Sequence, residues 1–404
     1  MFPVRTVVLG AFVPSLVFEV GVGAVLPIVP ITATGLGASL AFAGLMAALL
    51  PLGQLLADLP AGALAARLGD RGAMLLAGLV ATAGFAGCAL APNLGVLGAC
   101  VLLIGAATAV FNLARHAYLT EITPPLRRAR VLSTLAGVHR IGLFIGPFAG
   151  AAVIHGGDLR AAYWLALGTS LAATAVIAAV GPDRGPAARR AGAGARTPAR
   201  SLRSVLLEHR QVFATLGVAV LLVGAVRGAR QTVLPLWGEH LGLDPAVTSV
   251  VFGIAGAADM LLFYPAGKVM DSLGRLWIGV PAMLTMGVAM ALLPLTGTVG
   301  ALSAVAVLLG LGNGMSSGIL MTLGADTAPP GERAQFLGIW RMFQDGGAAL
   351  GPLVVAGGAA AGSLAAGIWV MAASGAAAAG ALGRWVPRWS VHANRTTRRR
   401  AGLG

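Results

Sequence analysis

Charge is what this chain has least of. Only 10% of its 404 residues are Asp, Glu, Lys or Arg, against about 25% in an ordinary soluble domain, while 57% are hydrophobic and the mean hydropathy is +0.86. So little polar surface excludes a water-soluble globular body and predicts an all-α integral membrane protein. Cysteine is nearly missing too: Cys88 and Cys100 both fall in apolar stretches, so no disulfide framework is expected and both read as reduced, packed thiols. No H-x-x-x-H, C-x-x-C or P-loop pattern occurs, so neither a metal site, a cofactor nor ATP-driven transport by this chain is expected. The first apolar run exceeds a signal-peptide core and lacks an A-x-A-like site, which makes it a retained span.

Apolar runs of about 20 residues place twelve spans near 6–28, 40–66, 73–91, 95–118, 131–154, 161–181, 211–235, 246–267, 277–295, 300–323, 334–360 and 363–383. The organisation expected is a six-helix half over 1–181, a basic linker over 182–210, a second six-helix half over 211–383 and a basic tail over 384–404. The net charge of +14 would suggest nucleic acid in a soluble protein, but its location argues otherwise. Of the 28 basic residues, 22 lie on the side of the N-terminus, Arg160 alone lies opposite, and five lie within spans. The positive-inside rule then predicts a multi-pass inner or plasma membrane protein with both termini cytoplasmic. The tail meets anionic lipid or only sets topology, and no nucleic-acid partner is expected.

The halves repeat with a constant offset of 205 residues. Pro30 matches Pro235, Pro60-Ala61-Gly62 matches Pro265-Ala266-Gly267, Gly69 matches Gly274, Gly105 matches Gly310, and Gly146-Pro147 matches Gly351-Pro352. The segment Gly62-Ala-Leu-Ala-Ala-Arg67-Leu-Gly69-Asp70-Arg71 resembles the loop between helices 2 and 3 of the major facilitator superfamily, and Gly267 to Arg275, with Asp271 and Gly274, resembles its second-half copy. Gly142, Gly146, Pro147 and Gly150 in helix 5 are similar to the signature of drug:proton antiporters in that superfamily. Two departures stand out. Ala66 occupies the position of the first loop's usual Asp, and Val101 that of the antiporters' helix 4 Arg.

The resemblance implies twelve transmembrane helices in two pseudo-symmetric halves, with helices 1, 4, 7 and 10 lining a cavity and 2, 5, 8 and 11 between the halves. Gly142, Gly146 and Gly150, with Gly347 and Gly351 in helix 11, then form small-residue grooves. Pro147 and Pro352 each remove a helix hydrogen bond, either for packing alone or as a bend used in transport.

Nine charges fall inside the spans: Glu19, Asp58, Asp259 and Asp345 against Arg115, Arg140, Arg227, Arg230 and Arg341. Unpaired at the bilayer centre they would cost about 20 to 30 kcal/mol, more than a domain's usual net stability of about 5 to 15. Each must therefore be paired or face water. Glu19, Asp58, Asp259 and Asp345 are candidates for proton coupling, Glu19 first, with a structural ion pair as the alternative. Glu19, Asn112, Arg115, His116, Arg227, Arg230, Gln231, Asn313 and Ser317 are candidates for the substrate cavity. Arg341 and Asp345 are i,i+4 and can pair, and Arg140 occupies the repeat position of Asp345. Asp58 has Arg115 as a possible partner, and His139 is an interface residue or a proton relay.

The function expected is secondary active transport by a monomer, a proton-driven exporter of small molecules. An importer of an anionic metabolite is the alternative. A membrane enzyme or sensor is remote, because Glu121, Asp326 and Glu332 are too scattered for a catalytic cluster.

Overall fold

The computed structural model describes residues 7–154, 158–180, 202–329 and 332–402, so the linker as far as residue 201, and Arg5, lie outside it. Among the described residues there is no strand, and twelve long helices follow one another. They are α1 Val8–Gly35, α2 and α3 within Leu40–Ala89, α4 Leu94–Ile122, α5 Pro125–Val153, α6 Arg160–Ala179, α7 Arg210–His240, α8 Pro245–Leu273, α9 Leu276–Leu295, α10 Val299–Thr327, α11 Arg333–Ala360 and α12 Leu364–Trp389. A short tail helix, α13, covers Arg395–Arg400.

Eleven of these are apolar enough to cross a membrane; α11, at 28 residues, is long enough but carries Arg341, Gln344 and Asp345. Several helices overrun the predicted spans. Thr32, Thr34, Glu239 and His240 are too polar to be read as hydrocarbon-spanning, yet they continue α1 and α7 as helix. Polar caps fix the starts: Ser39, Asn93, Thr298 and Ser363 each accept a bond from a first-turn N–H. The turn between α2 and α3 is a single residue, Gly69, at φ 81°, and Gly274 takes φ 109° between α8 and α9. Left-handed backbone of this kind disfavours any side chain, which accounts for glycine at both loop positions.

The repeat is written into the backbone. Besides the Gly69 and Gly274 pair, Gly37 and Gly242 share positive φ, and π-helical turns occur at Val8–Phe12 and Phe213–Gly217, again 205 residues apart. The chain divides into two compact units, one of residues 1–197 with 238–253, the other of 198–237 with 254–404.

Within each unit the helices meet through glycine. In the first, Gly142, Gly146 and Gly150 of α5 lie against Leu16, Glu19, Val20 and Ala24 of α1, and Gly105 of α4 lies on the Leu50 carbonyl of α2. In the second, Gly347 and Gly351 of α11 lie on the Leu221 and Ala225 carbonyls of α7, and Gly310 of α10 on that of Ala255 in α8. In lipid there is no hydrophobic force between helices, so backbone approach and dispersion carry their association. A methyl group has no space at Gly105, Gly142, Gly146, Gly310, Gly347 or Gly351, where its carbon would lie under 3 Å from the facing helix. Gly146→Ala and Gly351→Ala are therefore expected to cost about 1 to 3 kcal/mol, read as lowered melting temperatures in detergent. Gly357→Ala on α11, where a Cβ meets nothing within 4 Å, should leave the melting temperature unchanged or raise it.

Candidate functional site

Each unit holds a polar cluster inside its apolar helices. In the first, Glu19 of α1, Arg115 of α4 and His139 of α5 converge. Arg115 Nη1 lies 3.7 Å and His139 Nδ1 2.7 Å from the same carboxylate oxygen, Glu19 Oε1. The His139 approach is close but is not aligned as a hydrogen bond. Glu19 and Arg115 are almost fully buried, whereas the His139 side chain keeps 34% of its exposure. The local sequence explains the meeting. Gly142, one turn beyond His139 on α5, has so little room that a Cβ there would lie 2.6 Å from Glu19 Cβ, so its lack of a side chain brings α5 up to the carboxylate. Phe18 stacks on Phe111 at 4.5 Å, and the Arg115 guanidinium stands 5.9 Å over the Phe111 ring, which walls the pair with aromatic carbon. Arg115 Nε and Nη1 and Asn112 Oδ1 are shielded from solvent and make no hydrogen bond to protein.

In the second unit, Arg227 Nε donates to Asn313 Oδ1 at 3.1 Å, Asn313 Nδ2 donates to Asp259 Oδ2 at 2.6 Å, and Arg230 Nη1 lies 4.0 Å from that same oxygen. The two ends of the Asn313 amide are thereby assigned: oxygen to the cation, nitrogen to the anion. Gly314, the next residue, presses α10 onto the Asp259 carbonyl of α8 and so brings Asn313 within reach.

Just beyond, α10 breaks. Its regular parts are Val299–Met315 and Ile319–Thr327, separated by a turn in which Gly318 takes φ +76°. Ser316 Oγ donates back to the Asn313 carbonyl at 2.8 Å, while Ser317 Oγ is buried without a hydrogen-bond partner. The residue 205 positions earlier is Leu113, inside an unbroken α4, so the break belongs to one repeat alone.

Arg115 pairs with Glu19 of α1, not with Asp58, the possible partner that its sequence position offered. The carboxylate oxygens of Asp58 are shielded within α2. His116 turns its ring to the Asn112 carbonyl at 2.7 Å, and Gln231 is exposed. Arg341 and Asp345 form the i,i+4 pair at 3.2 Å, and Arg140 is half-buried on α5. In the loops, Arg67 is exposed, Arg71 donates to the Ile177 and Ala178 carbonyls at the end of α6, and Arg275 pairs with Asp326 at 3.1 Å and Asp271 at 3.6 Å. Sequence reasoning placed His139 at an interface or in a proton relay without linking it to Glu19, because spacing along one helix does not report a contact with another. It missed the break in α10, whose signal was the run Gly312 to Gly318, GNGMSSG. It also missed that Glu208, His209 and Glu332, at the start of α7 and α11, bring their possible ligand atoms within 4.8 Å of one another, with His209 Nε2 and Glu332 Oε2 in contact at 3.3 Å.

Comparison with known proteins decides the family, for the model of the Major Facilitator Superfamily matches residues 11–352. The chain belongs to the Major Facilitator Superfamily. Solved structures similar in fold include a POT family transporter in complex with 5-aminolevulinic acid (TM-score 0.74, 13% identity, 95% of this chain and 96% of that one covered), a D-xylose-proton symporter (0.71, 13%, 94% and 97%) and the nucleoside transporter NupG (0.74, 13%, 93% and 98%). No curated protein matches significantly in sequence. As a superfamily member it is a multi-pass membrane transporter with twelve transmembrane helices in two pseudo-symmetric halves, and not an enzyme. It binds a small-molecule substrate within the membrane.

The Asn313 bridge makes a direct prediction. Asn313→Ala cuts both amide bonds and is expected to destabilise by about 1 to 3 kcal/mol, measured by thermal unfolding in detergent. Adding Arg227→Ala on that background should cost much less than it does alone; simple additivity would mean that the two side chains are not coupled.

Proposed function

We propose that this superfamily member is a proton-coupled exporter of small, amphipathic molecules, working by alternating access, with Glu19 as the proton carrier. The observation that supports this is the contact of one buried oxygen, Glu19 Oε1, with both Arg115 and His139. Inside apolar helices an ionised carboxylate must be neutralised. Glu19 has two ways to be neutral: through its two nitrogen partners, or through a proton. Any motion that draws α4 or α5 away from α1 favours the second, and their return expels the proton. His139, the exposed member, is the natural relay between water and the carboxylate. The helix 5 glycines that resemble the antiporter signature favour export, because the first of them, Gly142, is the residue in contact with Glu19.

A second reading has its own support. The second cluster gathers two guanidinium groups, Arg227 and Arg230, beside Asn313 and Asp259, donors of the kind that bind an anionic substrate. Proton and anion would then move together, as a symporter does. Two of the structures similar in fold are named for a D-xylose-proton symporter and for a complex with 5-aminolevulinic acid, which is consistent with that direction.

In either case the energy comes from a proton gradient without a cofactor, the working unit is a monomer, and both termini face the cytoplasm of a cell that carries the protein in its inner or plasma membrane. The 182–210 segment joins the two six-helix halves on that side. Proteoliposomes with a pH gradient imposed in each direction test the reading against a panel of amphipathic and anionic compounds. Movement against the proton flow marks an exporter, movement with it an importer. Glu19→Gln, verified as monodisperse, should abolish gradient-driven movement, and His139→Gln should slow it by about two orders of magnitude. Transport that ignores the gradient and survives Glu19→Gln would overturn the coupling. For sidedness, Val391→Cys is expected to react with an impermeant maleimide only after cells are opened.

A further inference from the structure

The tail after α12 is built onto the turn between α8 and α9, the second copy of the loop motif. Arg275 N–H donates to the His392 carbonyl at 3.1 Å and Leu276 N–H to that of Ala393 at 3.0 Å. The first N–H groups of a helix have no partner inside it, so the tail supplies the N-terminal cap of α9. Arg398 Nη1 donates to the Asp271 carbonyl at 2.6 Å and the Ser272 carbonyl at 3.3 Å, capping the last turn of α8. Ser390 Oγ donates to Asp326 Oδ2 at 2.9 Å, the carboxylate that also holds Arg275 at 3.1 Å. Gly274 fits this contact as well as its own backbone angle, since a Cβ there would lie 2.5 Å from the Ala393 carbonyl oxygen. The tail helix itself opens on a capping box of Asn394 and Thr397.

One arginine of the tail is spent on this grip; the others are not. Arg395, Arg399 and Arg400 of α13 are exposed, as are Arg384 and Arg388 at the end of α12. The last two lie 5.6 Å and 4.8 Å from the ring centre of Trp385. An aromatic side chain flanked by arginines at the end of a transmembrane helix is a headgroup-level arrangement. We propose that these five arginines form a binding surface for anionic phospholipid headgroups, and that lipid bound there holds the double cap of α8 and α9 in place. The lipid surface is the partner because the arginines lie at the end of a membrane span beside Trp385, where a bilayer headgroup layer must run. The proposal rests on the reading above that the tail faces the inner, anionic leaflet. Lipid composition would then act on the loop motif itself, through the tail.

The test uses the full chain in nanodiscs of phosphatidylcholine with and without phosphatidylglycerol. Co-purifying lipid is counted by native mass spectrometry, and backbone amide exchange is followed over 274–279 and 392–400. Wild type is expected to retain phosphatidylglycerol and to show slower exchange at Leu276 in the anionic discs. Each basic residue near an anionic surface contributes roughly fivefold in affinity, so R395A/R399A/R400A should weaken retention on the order of a hundredfold and remove the effect on Leu276. The R395K/R399K/R400K chain, which keeps the charge, should restore both, and high salt should release the lipid from wild type. Equal retention by wild type and the alanine variant, or exchange at Leu276 that is indifferent to phosphatidylglycerol, would overturn the proposal. None of these readouts involves transport, and a nanodisc offers both faces, so failure of the exporter or sidedness reading would leave this result standing on its own.

Discussion

Everything in this transporter depends on how closely two helices can come together in a medium that gives them no hydrophobic reason to do so. Lipid tails are as apolar as leucine, and attraction between helices is recovered only where backbones approach. Glycine is the residue that allows it, and two equivalent helix pairs use it in each unit: α1 with α5 and α2 with α4 in the first, α7 with α11 and α8 with α10 in the second. The polar clusters are consequences of that approach. His139 reaches Glu19 because Gly142 has no side chain, and Asn313 reaches Asp259 because Gly314 has none. A larger residue at either glycine would push the facing helix, and with it the polar partner, away.

Scaffold and chemistry differ in their symmetry. The glycine contacts at 105, 142 and 146, the π-turns and the left-handed glycines at 37 and 69 recur 205 residues later. The charges do not. The positions equivalent to Glu19 and Arg115 are Gly224 and Leu320, and those equivalent to Asp259 and Asn313 are Gln54 and Thr108. One packing solution thus serves twice, while each unit carries its own polar group. This division suits a machine whose two units carry out different tasks, such as holding a proton and holding a substrate.

The sequence revealed the parts of the molecule that follow from composition and spacing. The twelve helices, the repeat and the loop glycines were legible because hydropathy and offset are one-dimensional signals. The intramembrane charges were legible as a set, since each is costly in lipid. Their pairing was not, because a helical residue's neighbour across a groove depends on the rotation of both helices, which no spacing reports. Asp58 and Arg115 looked like partners on depth alone, yet Arg115 meets Glu19. Helix ends were misjudged for a related reason: hydropathy marks where hydrocarbon ends, whereas Thr34 and His240 continue the helix into a polar zone. The break in α10 escaped because serine and glycine in a membrane helix more often signal tight packing than a turn.

That break sets a condition on its surroundings. Within a bilayer, non-helical backbone is tolerated only where protein encloses it or water reaches it, and the Ser317 hydroxyl at this turn is buried without a partner. Water admitted to serve the turn would raise the local permittivity a helical turn away from Asn313, Arg227 and Asp259. Ions are cheap in wet surroundings and expensive in dry ones. Gly318, by opening the helix there, would then decide how wet that stretch of the second unit is.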